Sequence, residues 1–397
     1  MTTDLKILIV GGGIAGLTLA TLLEKAGIDY QVFERAAAIR PLGSVIAIGP
    51  NILPVIEQLG LLEELVAASK VSGFVTNFNE QRQQTSYFDY RELKERNGYP
   101  NHMITRSRLS DLLLSQIPQE KVHMNKRLSS YEQDEHGVIL TFADGTTAQG
   151  DIVVGADGAY SQVRKSLYNR LTEDGTLPES DKKELPCSSI CLVTGWPTWT
   201  LPEKRMSWMV IEHLNDHGDK KTPNIEWGPG ATEAMVARVR GFPIPSGESL
   251  IMGDLIDVTP PNLISQVALE GKFFETWFMR TVLIGDGANV SMQDAIIFSS
   301  CLYALKDKTP ESLNSAFKGY FEEREPFARA AFETSDRFRQ FFRMRRIYAV
   351  IRLVIAYLPQ WVWRRAFDKM YGYRPQVTFL PRVPDRGSVK AFSQKNI

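Results

Sequence analysis

The first 34 residues combine two short apolar runs with one amphipathic segment. Residues 7–10 are uniformly apolar, as in a buried parallel strand, and Ile14 to about Lys25 carries apolar side chains at helical spacing. A second strand is predicted at Tyr30–Phe33, which is apolar except for Gln31 and is followed by Glu34. Because a helical pattern separates the two runs, this segment predicts a βαβ unit with parallel strands.

Helical spacing and strand alternation recur along the rest of the chain, between segments rich in glycine and proline. In chain order they predict a helix over 52–68 broken near Gly60, strands within 71–92, a helix over 104–117, strand–turn–strand–strand over 138–158, an antiparallel sheet over 186–280 with a short helix near 261–269, and strand–glycine–helix over 281–305. The expected fold class is α/β: a Rossmann-like domain with a mixed parallel sheet, an inserted antiparallel-sheet domain and a C-terminal helical tail.

The chain of 397 residues is too long for one simple core, so we expect two lobes and a tail. Strand–glycine–helix patterns lie on both sides of the antiparallel segment, which indicates a discontinuous nucleotide-binding domain. The expected divisions are a nucleotide-binding domain of 1–72, 104–185 and 278–336, a substrate domain of 73–103 and 186–277, and a basic aromatic tail of 337–397.

Charge and cysteine count exclude several classes of protein. Lys plus Arg and Asp plus Glu both number 46, so no whole-protein field favours nucleic acid. Three cysteines do not make a disulfide framework, and the pair His213 and His217 lies where helical spacing is weak, so we expect no metal site. Met1–Lys6 is polar and no apolar run reaches about 18 residues, so neither a secretory signal nor a membrane span is predicted. We expect an intracellular, reducing setting.

Three glycines and one acid carry the candidate chemistry of the βαβ unit. Gly11 permits a tight turn, Gly13 lets the backbone approach a pyrophosphate, and Gly16 lets the helix pack on the strand. The helix N-terminus offers free N–H groups and partial positive charge to phosphates. Glu34 can accept hydrogen bonds from both ribose hydroxyls, and it repels a 2′-phosphate. The unit therefore predicts a dinucleotide site that disfavours NADP; the alternative is a glycine-rich turn without a ligand.

Two further strand ends carry glycine beside aspartate. GADG at 155–158 and IGDGA at 284–288 each follow a short apolar strand. Ligands of open parallel sheets bind at the carboxyl ends of the strands, which meet at one edge. We therefore expect one extended dinucleotide to touch all three turns, whereas a single Asp-Gly pair is most often a plain turn.

This combination of motifs resembles the FAD-dependent aromatic hydroxylase superfamily, the single-component flavoprotein monooxygenases. It is most similar to the fungal branch that includes indole-diterpene epoxidases and salicylate-hydroxylase-like enzymes. The resemblance covers most of residues 5–335. The segments that carry it are the βαβ unit, IGPNILPVIEQLGLLEEL, ITRSRLSDLL, GDIVVGADGAYSQVRK and TVLIGD.

The resemblance implies FAD-binding roles but no catalytic side chain, because the cofactor carries the chemistry. Arg106 has a solvated helix start as its alternative, and Arg164 is open between a cofactor role and an ion pair with Asp157. By the part of FAD that they are expected to contact, the implied residues are Gly11, Gly13 and Gly16 at the pyrophosphate, Glu34 at the adenosine ribose, Ala47 along the flavin, Arg106 at FAD, Asp157 and Gly158 at FAD and a passing nicotinamide, Asp286 at the ribityl or pyrophosphate group, and Ala288 at the flavin through its backbone.

The resemblance also implies a reaction. In the family, NAD(P)H reduces FAD and one atom of O₂ enters an electron-rich ring or alkene, so we expect a small hydrophobic or aromatic substrate. NAD(P)H is expected to visit a groove transiently, since the sequence shows no second βαβ site. The rival interpretations are a non-oxygenating FAD oxidoreductase of the same fold and a non-catalytic, flavin-binding or membrane-associated relative.

The third motif departs from the family pattern. Relatives follow its Gly-Asp with a long loop that carries a histidine, a proline and a Gly-Gln-Gly turn, whereas here Gly285-Asp286 runs straight into Gly287-Ala288. The missing loop amounts to about ten residues, which is enough chain to cover one face of a flavin ring. This departure predicts a shortened isoform, an incorrect gene model or a degenerate member of the family. Such a chain is expected to bind FAD weakly or not at all and to release peroxide.

Residues 337–374 form a basic and aromatic segment. Within it Ile347–Leu358 is apolar except for Arg352, is too short to span a membrane, and is followed by Trp361 and Trp363. One interpretation is a helix in a membrane interface, with the arginines on anionic lipid. The other is a helix packed on the nucleotide-binding domain with its arginines reaching water. Membrane-surface contact is the favoured interpretation.

Overall fold

The computed structural model describes residues 4–39, 45–78, 81–182, 187–194, 208–213, 229–244, 249–270, 279–285, 287–343 and 358–392. In chain order the strands are β1 (Lys6–Val10), β2 (Asp29–Phe33), β3 (Val45–Ile48), β4 (Lys70–Val71), β5 (Phe74–Phe78), β6 (Gln84–Asp89), β7 (His102–Thr105), β8 (Val122–His123), β9 (Leu128–Gln133), β10 (Val138–Phe142), β11 (Thr147–Gly150), β12 (Ile152–Gly155), β13 (Cys187–Thr194), β14 (Met209–His213), β15 (Ile264–Glu270) and β16 (Thr281–Leu283). The helices are α1 (Ile14–Ala26), α2 (Leu53–Gln58), α3 (Leu62–Ala67), α4 (Leu93–Asn97), α5 (Arg106–Leu114), α6 (Gln162–Glu173), α7 (Glu179–Lys182), α8 (Pro229–Val239), α9 (Met252–Asp257), α10 (Ala288–Tyr303), α11 (Pro310–Arg343) and α12 (Gln360–Gly372).

The central sheet is parallel, with the strand order β16-β12-β1-β2-β8. Its middle strand β1 buries both faces, which explains why its sequence is apolar without alternation. Ile7 and Ile9 pack among side chains of α1 and α10. Leu8 and Val10 pack on the other face, against the antiparallel sheet β11-β10-β9. The predicted α/β class and the βαβ unit are therefore confirmed.

The antiparallel sheet predicted over 186–280 is present as β14-β13-β15, but the short helix near 261–269 was a wrong prediction. That segment is a 3₁₀ turn at Pro261–Leu263 followed by β15, which pairs with β13. Two helices of this region, α8 and α9, lie earlier in the chain. Hydrogen bonding along β13 stabilises the strand conformation of β15, and the spacing of apolar residues within the segment does not reveal such a distant partner.

The helical predictions over 52–68 and 104–117 are largely correct. The break near Gly60 is confirmed, because Gly60 has φ +76° and separates α2 from α3. The helix predicted over 104–117 begins at Arg106, since Ile104 and Thr105 belong to β7 and pair with β3. Thr105 caps this helix by accepting a hydrogen bond from the Arg108 backbone N–H at 3.0 Å.

Helix α12 packs on the rest of the protein. Trp363 meets Phe88 of β6 edge to face, with ring centroids 4.7 Å apart, and Phe367 is buried. Arg96 of α4 pairs with Asp368 at 2.5 Å. Residues 360–372 thus pack on protein, but these partners lie within 73–103, the expected substrate domain, and not in the expected nucleotide-binding domain. Residues 347–357 of the apolar run lie outside the described residues.

No helix that the structure describes is both long and apolar enough to cross a membrane. The nucleotide-binding domain was expected to end at residue 336, but helix α11 continues through this position to Arg343. The expected domain divisions therefore stay a prediction.

Residues 373–392, the C-terminal strap, follow α12 across the nucleotide-binding region. Gln58 of α2 exchanges two hydrogen bonds with Val377, one at 3.0 Å and one at 3.2 Å. Arg374 is buried and donates to the Asn97 carbonyl oxygen at 2.7 Å. The strap is therefore anchored to helices that are far from it in the sequence.

Candidate functional site

The first glycine turn is shaped by close packing. Gly11 has φ +115°, and a Cβ there would lie 2.3 Å from the Ala156 carbonyl oxygen. A Cβ on Gly16 would lie 2.0 Å from the Gly11 carbonyl oxygen. These two glycines are required because the β1–α1 turn approaches both the neighbouring strand end and itself. The fold demands them whether or not a ligand binds.

Gly13 differs from its two neighbours because the protein leaves room beside it. Its φ of −80° and ψ of −176° are extended, and a Cβ would meet Arg106 Nη2 as its nearest atom, at 3.8 Å. Gly13 is the N-cap of α1, whose first N–H groups lack intrahelical partners. The space is therefore open to a group that comes from outside the protein.

Arg106 brings positive charge to this open space. It is exposed, it begins α5, and its side chain makes no hydrogen bond or ion pair within the described ranges. A free guanidinium beside a helix N-terminus favours an anion with several oxygens, such as a pyrophosphate. The structure thus brings together Gly13 and Arg106, which lie 93 positions apart in the sequence.

Glu34 is held by backbone donors on both oxygens. Its Oε2 accepts from the Gly12 N–H at 2.7 Å, and its Oε1 accepts from the Ala36 N–H at 2.8 Å. Each carboxylate oxygen has a further lone pair, so the half-buried group can still accept from hydroxyls. The Glu34 N–H bonds to the His123 carbonyl oxygen at 2.9 Å, which extends the β2–β8 pairing past the strand end. Sequence analysis did not single out Gly12, Ala36 or His123, because each contacts Glu34 through a backbone group, which every residue type can provide.

The second turn places Asp157 at the start of α6. Its Oδ2 accepts from the backbone N–H groups of Gln162 at 2.7 Å and Val163 at 3.3 Å. Its Oδ1 is buried and has no hydrogen-bond partner among the described residues. Gly158 follows with φ +77° and is exposed. Arg164, left open above, donates to the Ala159 carbonyl oxygen at 2.5 Å.

The third turn joins β16 to α10 through residues 284–287. Gly287, with φ +98°, is the N-cap of α10, and Ala288 is the first residue of that helix. Asn289 Nδ2 donates to the Ala47 carbonyl oxygen at 3.0 Å. Because Asn289 follows Ala288 directly, Ala47 lies close to the first turn of α10. The Asn289 Oδ1 is buried without a partner in the described part of the chain. Asp286 lies outside the described residues, and Asn289 is a site residue that sequence analysis missed.

The three turns share one edge because β1, β12 and β16 are adjacent and parallel. Val10 pairs with Gly155, and Gly155 pairs with Leu283, so the strand ends are in register. Within the described residues, this edge combines an open helix N-terminus, a guanidinium without a partner, an acid and two buried oxygens that accept no hydrogen bond. FAD offers phosphates to the first two groups and hydroxyl or N–H donors to the others, so the residues fit it.

Comparisons with known proteins agree with this chemistry. The FAD binding domain family matches residues 4–182. The FAD-dependent monooxygenase ausM of Penicillium brasilianum is 30% identical over an alignment of 356 positions, gaps included, that covers 79% of this chain and 73% of the relative. The FAD-dependent monooxygenase pynG of Aspergillus niger is 25% identical over an alignment of 424 positions, gaps included, that covers 93% of this chain and 96% of the relative.

Solved structures show the same fold. Klebsiella pneumoniae HpxO complexed with FAD and uric acid superposes with a TM-score of 0.71 at 18% identity, over 94% of this chain and 97% of that one. The tetracycline destructase Tet(51) has a TM-score of 0.70 at 16% identity, over 96% of this chain and 100% of that one. The relatives in sequence and the chemistry of the sheet edge together confirm the expected family and cofactor: this chain belongs to the FAD-dependent monooxygenases.

Proposed function

We propose that this chain uses NAD(P)H and O₂ to hydroxylate or epoxidise a small hydrophobic or aromatic molecule at the carboxyl edge of its central sheet. The observation that carries the proposal is the meeting of three glycine turns at that edge, which suits one elongated dinucleotide. FAD supplies the redox chemistry with O₂ when it is bound, and the protein binds, orients and shields it. Membership of the monooxygenase family supports O₂ and a small-molecule substrate in general.

The adenosine end of FAD is assigned to the first turn. Gly11 and Gly16 shape the turn, the N–H groups behind Gly13 and the Arg106 guanidinium bind the pyrophosphate, and Glu34 accepts from the ribose hydroxyls. The support for Glu34 is its fixed carboxylate, whose two backbone hydrogen bonds orient it before a ligand arrives. Fixed partners reduce the entropy lost on binding.

The flavin end is assigned to the second and third turns. Ala47 and Ala288 would contact the flavin through their backbone, and Asp157 with Gly158 would contact FAD and the passing nicotinamide. Asp286 would bind the ribityl or pyrophosphate group. The buried Asp157 Oδ1 supports this assignment, because a buried acceptor without a donor costs about 1–3 kcal/mol and a ligand hydroxyl would remove that cost.

One observation favours a second outcome of the same chemistry, an NAD(P)H oxidase that releases hydrogen peroxide. The connection from β16 to α10 spans residues 284–287, and so short a connection covers little surface beside the cofactor. Water reaches a less covered site more easily, and exclusion of water is what protects reactive oxygen chemistry from side reactions.

The purified chain decides between these outcomes. A stoichiometric yellow flavin that NADH or NADPH bleaches without air would support the redox assignment, and no retained FAD after refolding with excess cofactor would contradict it. With an electron-rich aromatic test substrate and ¹⁸O₂, a monooxygenase places label in the organic product, whereas the oxidase converts the consumed O₂ to peroxide. A product formed without label would support the rival, non-oxygenating oxidoreductase.

We also propose that the apolar run at 347–358 contacts a membrane surface, on the support of its composition and the arginines around it. The test is sedimentation of the full chain with vesicles of phosphatidylserine and phosphatidylcholine. The double substitution Ile351→Glu and Val354→Glu should abolish binding, whereas Val66→Glu, a change at an exposed valine of α3, should not. Equal sedimentation of all three proteins contradicts the proposal.

A further inference from the structure

A buried ion pair lies directly behind the third turn. Arg324 Nε of α11 and Asp294 Oδ1 of α10 are 2.7 Å apart, and their side chains are 3% and 5% exposed. The other carboxylate oxygen, Oδ2, accepts from the Gly285 backbone N–H at 2.9 Å. One carboxylate therefore joins the end of β16 to two helices.

Gly285 is shaped for this contact. A Cβ on Gly285 would lie 2.8 Å from Asp294 Oδ2, so the carboxylate reaches the backbone because no side chain intervenes. Gly285 immediately precedes Asp286 in the chain. A hydrogen bond that fixes the Ile284–Gly285 peptide constrains the direction in which the chain leaves β16.

The C-terminal strap covers the other side of Arg324. The guanidinium carbon lies 5.2 Å from the centroid of the Tyr373 ring, a cation–π distance. The Tyr373 hydroxyl donates to Glu323 Oε1 at 3.0 Å, and its ring stacks on Phe327 with centroids 3.6 Å apart. Tyr373 is 3% exposed, so it shields Arg324 from water and from alternative partners.

Stability alone does not explain this arrangement. A buried ion pair loses about as much free energy on desolvation as it gains, and apolar replacements are often at least as stable. The ion pair instead fixes the position of Asp294, whose second oxygen accepts a hydrogen bond from the Gly285 N–H. An apolar pair in the same place would offer no acceptor to that N–H.

We infer that Asp294 is a positioning residue for FAD, which holds the Gly285 turn against the cofactor and is itself held by Arg324 and Tyr373. The inference rests on the flavin site proposed above and adds residues to it that touch no cofactor atom. It makes the C-terminal strap part of the flavin site, although the strap follows α12 at the far end of the chain.

The principal test is Asp294→Asn with Asp151→Asn as its matched control. The amide of Asn can accept from Gly285 or from Arg324, but not from both. Asp151 also accepts a hydrogen bond from a strand-end N–H, that of Lys6 at 2.8 Å, and pairs with Lys308 at 3.2 Å, but it lies at the opposite edge of the sheet.

Three properties are measured on each protein: the FAD dissociation constant of the apoprotein, the thermal midpoint without FAD, and the visible absorbance and circular dichroism of bound flavin. Asp294→Asn should weaken FAD binding about tenfold and shift the flavin spectrum. Asp151→Asn should lower the thermal midpoint and leave affinity and spectrum unchanged. Equal effects of both variants on FAD affinity would overturn the inference.

Tyr373 supplies a second pair of variants, which keeps the inference testable if Asp294→Asn does not fold. Tyr373→Phe keeps the ring over Arg324 but loses the hydroxyl hydrogen bond to Glu323, so it should weaken FAD binding less than Tyr373→Leu does. Tyr373→Leu removes the ring and should weaken binding several-fold. FAD binding by Tyr373→Leu as tight as that of Tyr373→Phe overturns the inference, and a wild-type chain that binds no FAD overturns the proposed function as well.

Discussion

Gly13→Ala separates the binding of FAD from the folding of the βαβ unit. The extended backbone of Gly13 suits alanine, and the nearest atom to the new methyl is the end of the flexible Arg106 side chain, at 3.8 Å. Alanine caps a helix less well than glycine, by about 0.5–1 kcal/mol. It also loses less chain entropy, a gain of about 0.4–1 kcal/mol. We therefore expect the free energy of unfolding without FAD to change by less than about 1 kcal/mol.

FAD binding should respond much more strongly to the same methyl. The methyl would stand where a phosphate must approach the first N–H groups of α1, so at least one charge-assisted hydrogen bond is lost. Such a bond contributes about 1.5–3 kcal/mol, which corresponds to a dissociation constant about 10- to 150-fold higher.

The assay is a titration of FAD into the deflavinated protein, followed by flavin fluorescence, beside thermal unfolding without FAD. Gly27→Ala, at the other end of α1, is the control. Gly27 has φ +68° and open space around it, so alanine there should cost about 1–2 kcal/mol of stability and leave FAD affinity unchanged. If Gly13→Ala binds FAD within twofold of wild type, phosphate binding at the α1 N-terminus is refuted.

The remaining predictions concern an acid, a salt bridge and a thiol. Glu34→Gln replaces one carboxylate oxygen with a nitrogen, which cannot accept a hydrogen bond from the Gly12 N–H or the Ala36 N–H. The same titration should therefore show FAD binding weakened about tenfold. An unchanged FAD affinity contradicts the assignment of Glu34 to the ribose. The side-chain hydrogen bond from Arg386 holds the pKa of Glu57 below its usual 4.5, so the ionised Glu57 stabilises the fold above pH 4.5. This stabilisation is lost as the pH falls through the lower pKa of the folded state. Glu57→Gln should therefore reduce the fall of the thermal midpoint at acid pH, and an unchanged fall contradicts the prediction. Burial raises the pKa of the Cys301 thiol to about 12, so peptide mass spectrometry should show alkylation of Cys301 only after denaturant is added.

Patterns confined to neighbouring residues predicted much of the cofactor-binding half of the molecule. The apolar run of β1 reflects burial of both faces of that strand, and the mostly apolar sequence of α1 reflects the burial of ten of its 13 residues. Gly11 and Gly16 were predictable because a strand–turn–helix with close packing leaves no room for a Cβ. The same reasoning missed β15, since a short segment of mixed propensity takes the structure of the neighbour it pairs with.

The site itself depends on contacts between distant parts of the chain. Asn289 meets Ala47 across 242 positions, and Arg106 reaches the space beside Gly13, although neither contact has a signature in the nearby sequence. Asp294 and Arg324 were indistinguishable from ordinary helical charges until their burial was known.

The order of apolar and glycine positions was sufficient to establish an α/β chain with three glycine turns at strand ends, because those patterns reflect burial and backbone space within a few residues. Which side chains reach those turns depended on how α5, α10, α11 and the C-terminal strap pack around the sheet. The same holds for helix α12, whose aromatic and basic residues are compatible with either a membrane surface or a protein surface. Its contacts with Phe88 and Arg96, more than 260 positions away in the sequence, show that it packs on protein.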